Sequence, residues 1–347
     1  MSPTLLFTLL FALGLGTTTT FASSHWFLAW MGLEINTLAI LPLMAQSSSP
    51  RAVEAALKYF LTQAAAAATL LFAALSNAWC SGQWDIQNMT HPVPVTLLTL
   101  AIGFKLGLAP MHIWLSEVMQ GLSLNTGLVL ATWQKLAPLS LLVQIHHASP
   151  QLLIMLGFAS ILIGGWGGLN QIQVRKILAY SSIAHLGWMV LVLPFSTALT
   201  GLALLTYITM TSSTFLVFKY ANAININSLA SSWSKVSTLA AFMPLILFSL
   251  GGLPPLSGFM PKWLILQELA KQNLAPIATL AALAALLSLF FYLRLAYAFT
   301  LTIPPNIMTN SLSWHFQPSQ AAFPLAIFIM MALALLPLTP SIMALLI

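Results

Sequence analysis

Long apolar stretches follow one another along nearly the whole chain and are separated by short polar connections. A helix that crosses a bilayer needs roughly 20 predominantly apolar residues, and the regular alternation of a membrane β-barrel is absent. We therefore expect an all-α membrane protein, residues 1–347 forming a single polytopic domain with about eleven transmembrane helices. The predicted segments are residues 3–20, 25–45, 58–79, 95–120, 124–146, 150–170, 174–194, 197–221, 236–270, 275–302 and 322–346.

Composition agrees with a membrane protein. The chain is 59% hydrophobic and 5% charged, whereas soluble domains are about 25% charged. The net charge of +6 does not indicate nucleic-acid binding, because no basic patch exists beyond Arg175 and Lys176. A single cysteine, Cys80, excludes intrachain disulfides and a four-cysteine iron–sulfur site made by this chain alone.

The distribution of basic residues predicts the topology. When each connection takes the number of the segment that it follows, five basic residues fall in even-numbered connections and only Lys271 falls in an odd-numbered one. By the positive-inside rule the N-terminus and the even connections lie on one face, and the C-terminus lies on the other. The longest connection, residues 303–321, is expected to be a surface loop. The basic residues assigned to even connections are Arg51, Lys58, Arg175, Lys176 and Lys235.

Two segments cannot be straight helices. In IGFKLGLAPMHIWL (102–115), Pro110 lacks an N–H and clashes with the carbonyl of Leu106, shortly after Lys105. The second, GGLPPLSGFMPKW (251–263), crowds glycine and proline ahead of Lys262. Irregular backbone inside a bilayer is tolerated only within protein or beside a water-filled cavity. An ionisable residue at an interrupted helix is typical of transporter ion sites.

The two interrupted segments occupy matching places if the first ten segments form two sets of five. Because five is odd, the second set, residues 150–302, would run inverted relative to the first, residues 3–146, with a C-terminal helix at 322–346. Paired interruptions of this kind predict an inverted-repeat transporter. The alignment used here matches Lys105 with Lys262, Glu34 with His185, and Lys135 with Arg294.

Several ionisable residues lie far from any segment end. A lysine at mid-membrane costs about 2.5 to 3.5 kcal/mol on insertion scales, so Lys105, Lys135 and Lys262 are expected to face a polar interior. Glu34 is either an acid near a helix end or a charge partner of Lys105. We expect protons to pass from Glu34 and Lys105 to Lys135 and then to Lys262, as a lateral relay.

Two histidines indicate a proton pathway less strongly than the lysines do. His112 and His185 each have two interpretations, a hydrogen-bonded packing residue or a proton carrier. Haem ligation would need matched histidine pairs at equal depth, which is the less favoured alternative. No metal site, nucleotide-binding motif or nucleophile elbow is present in the sequence.

Five motifs carry a resemblance to a known family. They are LEINTLAILPLM (33–44), GFKLGLAPMHIWLSEVMQGL (103–122), TWQKLAP (132–138), RKILAYSSIAHLGW (175–188) and GGLPPLSGFMPKW (251–263). Together they resemble, over nearly the whole chain, the antiporter-like subunits of respiratory NADH–ubiquinone oxidoreductase, which are related to subunits of sodium/proton antiporters. The bacterial members are expected to have additional helices at the N-terminus.

The resemblance implies a function. The chain would be a core membrane-arm subunit of a proton-pumping enzyme, with a glutamate and lysine pair at Glu34 and Lys105, a central lysine at Lys135 and a terminal lysine at Lys262. It implies no redox centre or cofactor in this chain. NADH, FMN, iron–sulfur clusters and ubiquinone would bind to partner subunits, and the other partners would be membrane-arm subunits and lipids, not nucleic acid.

The implied location is the mitochondrial inner membrane, with the N-terminus on the matrix side and the C-terminus on the intermembrane-space side. Two alternatives remain open. The chain could be a stand-alone cation/proton antiporter or solute carrier, or it could have only a structural role in an assembly.

Overall fold

The computed structural model describes residues 2–47, 49–89, 91–146, 149–230, 237–300 and 322–346. In these ranges the chain is α-helical, with short 3₁₀ turns and isolated bridges but no β-strand. The connection predicted at residues 303–321 and the topological residue Lys235 lie outside the described residues. Two compact units divide the chain, Met1–Ser160 and Ile161–Ile347.

The first unit begins with a pair of helices that cross closely. Gly16 and Gly32 allow this approach, because a Cβ at Gly16 would overlap the Asn36 amide oxygen. The third helix is capped by Ser49, whose hydroxyl accepts from the amide of Ala52 at 3.3 Å. The helices of this unit are α1 Pro3–Ala22, α2 Trp26–Met44, α3 Pro50–Ser81, α4 Pro92–Leu106, α5 Ile113–Gly121, α6 Leu124–Thr132, α7 Leu136–Ile145 and the first part of α8 Pro150–Gly168.

The second unit is built around a buried helix, α10, which packs against helices α9, α12 and α15. Serine and threonine hydroxyls on α9 and α10 donate to carbonyls of the preceding turn, as Ser213 does to Met210 at 2.7 Å. This pattern lets polar side chains lie in an apolar core. The remaining helices are α9 Val174–Val192, α10 Thr197–Tyr220, α11 Ile226–Ala230, α12 Ser237–Gly251, α13 Phe259–Lys271, α14 Ala275–Thr300, α15 Ala322–Ala334 and α16 Thr339–Leu346.

Membrane-spanning helices are present in both units. In the described ranges, seven helices are long and apolar enough to cross a bilayer, or eight if the bent pair at the C-terminal end counts as one span. Each predicted segment coincides with a helix or a pair of consecutive helices.

The boundaries differ from the predictions at two places. Helix α3 begins at Pro50 and α9 begins at Val174. The basic residues Arg51, Lys58, Arg175 and Lys176 therefore lie inside helices and not in connections. The C-terminal segment is not one straight helix, because Phe323–Ala334 and Leu336–Leu346 meet at an angle of 68°. Pro337, which has no N–H and crowds the preceding turn, explains the bend.

Candidate functional site

The first interrupted helix ends at a glycine cap. Gly107 has φ +79°, a conformation that a residue with a Cβ rarely adopts. The amides of Gly107 and Leu108 both donate to the carbonyl of Gly103, at 3.0 and 2.9 Å. This is a Schellman cap, and it places Lys105 in the last turn of α4.

Side chains satisfy the backbone groups freed by the break. Beyond the cap, the amide of Ala109 donates to the Ser160 hydroxyl at 3.0 Å. The indole Nε1 of Trp114, on α5, donates to the carbonyl of Phe104 at 3.1 Å. The two halves of the broken helix are thus joined by a direct hydrogen bond.

Lys105 is buried, with 6% of its surface exposed, and its amine has no hydrogen-bond partner. The Glu34 carboxylate, on α2, interacts electrostatically with this amine, but its Oε2 accepts instead from the Thr37 hydroxyl at 3.0 Å. Glu34 and Lys105 therefore interact electrostatically, but they do not form the direct ion pair that the resemblance implies.

A third interruption was missed by the sequence analysis. The predicted segment 124–146 changes to a 3₁₀ turn at Trp133–Lys135 between α6 and α7. Pro138 explains it, because it can neither donate to the carbonyl four residues earlier nor avoid clashing with it. Lys135 ends this turn and is 2% exposed.

Lys105 and Lys135 line the same largely enclosed cavity in the first unit. The centre of a water-sized sphere can occupy about 20 Å³ of it, which is room for one or two water molecules. The lining also has polar residues that the sequence analysis did not single out, namely Asn36, Thr37, Tyr59, Gln63 and Gln134. Their signal was available, since an amide inside an apolar segment is unusual.

The second interrupted helix ends with the same cap. Gly252 has φ +80°, and the amides of Gly252 and Leu253 donate to the carbonyl of Phe248 at 3.0 and 3.1 Å. A lysine also hydrogen-bonds the C-terminus of α12. Lys262 Nζ, on α13, donates to the carbonyl of Gly251 at 2.7 Å. The amine expected to face a polar interior thus binds backbone oxygen.

A smaller cavity lies beside this second break. Its water-accessible space is about 10 Å³, and its lining includes Lys262, His185 and Thr206. His185 is 9% exposed, and its ring centre is 5.6 Å from that of Tyr207. Gly258 also lines the cavity, and any Cβ there would overlap the Ser249 carbonyl oxygen.

Two other predicted residues lie apart from these cavities. His112 is half-buried, with Nδ1 3.1 Å from the Pro110 carbonyl oxygen, and it does not line the cavity of Lys105. Arg294 donates from Nη1 to the carbonyl of Leu169 at 2.7 Å, just beyond the end of α8.

The caps give a register between the two broken helices. Aligning Gly107 with Gly252 matches the sequence GLAP with GLPP. In this sequence alignment Lys105 corresponds to Leu250, and Lys262 corresponds to Glu117. The caps therefore do not support the predicted match of Lys105 with Lys262. One lysine precedes its break and the other follows it.

Glu117 forms an ion pair with Lys58 at 2.8 Å, and Lys58 also pairs with Glu54 at 2.8 Å. All three side chains are 43 to 61% exposed. In the described part of the chain, no group of three or more histidine, cysteine, aspartate or glutamate side chains could hold a metal ion.

Comparison with known proteins assigns the family. A model of the NADH:quinone oxidoreductase/Mrp antiporter transmembrane region matches residues 23–288, and a model of the NADH dehydrogenase subunit 2 C-terminus matches residues 289–343. NADH-ubiquinone oxidoreductase chain 2 of Tetraodon nigroviridis is 63% identical over 345 residues, 99% of each chain. The chain belongs to the NADH-ubiquinone oxidoreductase chain 2 family. The Salmo salar member is 62% identical over 347 residues, covering 100% of this chain and 99% of its own length.

Solved structures of related complexes contain chains with the same fold. A chain of respiratory complex I from Thermus thermophilus with bound aureothin superposes with a TM-score of 0.85 at 28% identity, over 98% of this chain and 79% of that one. A chain of the Mrp complex from Dietzia sp. DQ12-45-1b has a TM-score of 0.84 over 97% of this chain and 76% of its own, but at 17% identity it shares the fold alone.

Family membership makes the chain an antiporter-like membrane subunit of an NADH-ubiquinone oxidoreductase, and so part of an enzyme complex. Its vertebrate relatives indicate a multi-pass protein of the mitochondrial inner membrane. This assignment favours the complex subunit over the stand-alone carrier.

Proposed function

We propose that this subunit translocates protons across the inner membrane, coupled to the oxidation of NADH by ubiquinone in partner subunits. The observation that supports the proposal most strongly is the cavity shared by Lys105 and Lys135. Two lysines that are 6% and 2% exposed line one small cavity, whose wall also carries polar side chains such as Gln63 and Gln134. Such intramembrane ionisable residues are expensive and mark ion or proton pathways.

The chemistry is a change of charge state in a site of low dielectric. Moving one charge through 100 mV requires about 2.3 kcal/mol. A change in the electrostatic interaction between Glu34 and Lys105 would have to supply an energy of this size for each proton moved. Protons would pass from Glu34 and Lys105 to Lys135 and on to Lys262, with His112 and His185 as secondary carriers.

The architecture that we propose has eleven membrane crossings, in two inverted five-helix repeats at residues 3–146 and 150–302 and a C-terminal helix at 322–346. The shared caps at Gly107 and Gly252 support a repeated unit. The N-terminus would face the matrix and the C-terminus the intermembrane space. We also propose that NADH, FMN, iron–sulfur clusters and ubiquinone bind to partner subunits, that other membrane-arm subunits and lipids contact this chain, and that it binds no redox cofactor.

The test replaces the two buried amines, one at a time, in the assembled enzyme. Lys105→Met and Lys135→Met keep a long unbranched side chain and remove the proton-carrying group. Because a positioned proton-transfer group contributes about 10²- to 10⁴-fold to a rate, each should lower NADH:ubiquinone turnover and proton output by at least about tenfold. Protons translocated per NADH oxidised are measured in proteoliposomes.

A matched control is Lys219→Met, which removes an exposed lysine from the last turn of α10 and should leave both quantities unchanged. Normal proton output from an assembled Lys105→Met or Lys135→Met enzyme would reduce the subunit to a structural role. Proton exchange by this chain alone, purified free of every partner, would favour the stand-alone antiporter.

A further inference from the structure

Asn36 is a second buried polar group with no protein partner at the cavity of Lys105. It lies on α2 and is 2% exposed, and neither its amide nitrogen nor its amide oxygen has a hydrogen-bond partner. Leaving a buried polar group without a partner costs about 1 to 3 kcal/mol. Native proteins keep few such groups, and each calls for an explanation.

The surroundings of Asn36 hold it in one place. Its amide oxygen abuts Gly16, where any side chain would overlap it. Its backbone carbonyl accepts a hydrogen bond from Gln134 Nε2 at 3.3 Å. Gln134 belongs to the same 3₁₀ turn as Lys135. Asn36 is thus linked directly to the turn that carries one of the two lysines.

Ordered water is the ligand that fits this site. A buried water needs two to four polar partners and a volume of about 10 to 15 Å³. The cavity offers about 20 Å³, and Asn36, Lys105, Gln134 and Lys135 all line it. The Asn36 amide can both donate and accept, whereas a protonated lysine can only donate. An amide can therefore orient a water towards either lysine.

We propose that Asn36 is a positioning residue that holds the water through which Lys105 and Lys135 exchange a proton. This inference rests on the proposed function, and it adds a residue that does not itself change charge. Asn36 sets the place and orientation of the water, and the two amines carry the proton.

The experiment uses three variants of the assembled enzyme in proteoliposomes. Asn36→Leu keeps the number of side-chain heavy atoms and the branched shape but removes the hydrogen-bonding groups, while Asn36→Ser supplies a hydroxyl in place of the amide and leaves space for a further water. The control is Asn77→Leu. Asn77 on α3 is also fully buried with both amide atoms unpartnered, but it does not line this cavity.

Asn36→Leu should lower proton-coupled turnover about fivefold, the equivalent of one lost hydrogen bond. It should also change the ratio of rates in H₂O and D₂O, which a purely structural defect would not move. Asn36→Ser should recover at least half of the lost rate, and Asn77→Leu should stay within about twofold of the unaltered enzyme. The proposal is overturned if Asn36→Leu turns over normally, if Asn36→Ser is equally defective, or if Asn77→Leu has the same phenotype.

If Asn36→Leu does not assemble, a high-resolution map of the unaltered enzyme decides. Water should lie within hydrogen-bonding distance of both the Asn36 amide and the Lys105 amine, and a dry cavity overturns the proposal. The proposed function fails separately. If Lys105→Met pumps normally, that function is wrong, whereas a Lys105→Met defect without an Asn36→Leu defect removes only the role of Asn36.

Discussion

The two broken helices end in the same cap but use different side chains beyond it. In the first, Trp114 donates to the Phe104 carbonyl, and Lys105 keeps an amine without a hydrogen bond. In the second, Lys262 itself donates to the Gly251 carbonyl. With the same backbone cap, Lys105 therefore lines a cavity without a hydrogen bond, whereas Lys262 bonds the end of the helix.

This difference gives the two lysines different roles in stability. A carbonyl at a helix C-terminus carries part of the negative end of the helix dipole, and a cation near it is stabilising. Lys262 bonds such a carbonyl directly, whereas Lys105 lies in the last turn of α4 without a hydrogen bond to any carbonyl. Lys105 should therefore contribute mainly to function, whereas Lys262 should contribute to both function and stability.

The largest effect is expected from comparing Lys262→Met with Lys105→Met in thermal stability. Loss of Lys262 leaves the Gly251 carbonyl without its charged donor and should destabilise the second unit by about 1.5 to 3 kcal/mol. Loss of Lys105 removes a buried amine that has no hydrogen bond and should leave stability unchanged or higher. The midpoint of heat-induced dissociation of the purified enzyme measures both, and equal shifts would contradict the comparison.

A somewhat smaller difference should separate Gly252→Ala from Gly107→Ala. An alanine in the left-handed region costs about 1 to 2 kcal/mol at either cap. At Gly252 the new Cβ would also lie 2.8 Å from Lys262 Cδ and 3.0 Å from its Nζ, whereas the nearest atoms at Gly107 are 3.4 Å away. Gly252→Ala should therefore lower the dissociation midpoint more.

Gly14→Ala is the control for both cap variants, because a Cβ at Gly14 meets nothing within 4 Å and alanine favours a helix interior. Its midpoint should equal or exceed that of the unaltered enzyme. A larger loss at Gly107 than at Gly252 would mean that the contact with Lys262 is unimportant.

The smallest effect is expected for Trp114→Phe. This change removes the indole donor, but the Phe104 carbonyl keeps its bond from the Gly107 amide at 3.1 Å. The loss should be about 0.5 to 1.5 kcal/mol, less than for Lys262→Met. Trp166→Phe, at a position 74% exposed, controls for loss of an indole. A Trp114→Phe enzyme less stable than Lys262→Met would reverse the order of the two contacts.

The sequence indicated the two breaks more directly than it indicated how they align. Proline and glycine act on their own backbone, so GLAP and GLPP marked the interruptions directly. The predicted alignment matches the two lysines by residue type, whereas the caps match the tetrapeptides that end the helices. Side-chain chemistry is a weaker guide to register than the residues that end a helix.

The cavity was predicted only in part. Lys105 and Lys135 stood out as charges inside apolar segments, whereas Asn36 and Gln134, although amides are unusual in such segments, carry no charge and did not stand out as carriers of a proton. Whether such an amide lies close to a lysine depends on how the helices cross. Gly16 and the turn that ends at Lys135 determine that crossing. These are tertiary facts that no local pattern encodes.

The contact between Gly258 and the Ser249 carbonyl has a consequence for inheritance. No other amino acid fits at position 258 without separating α12 from α13, so every missense allele of that codon should impair the enzyme in its carriers. An allele that replaces Gly14 with alanine meets empty space and should be nearly neutral in a population.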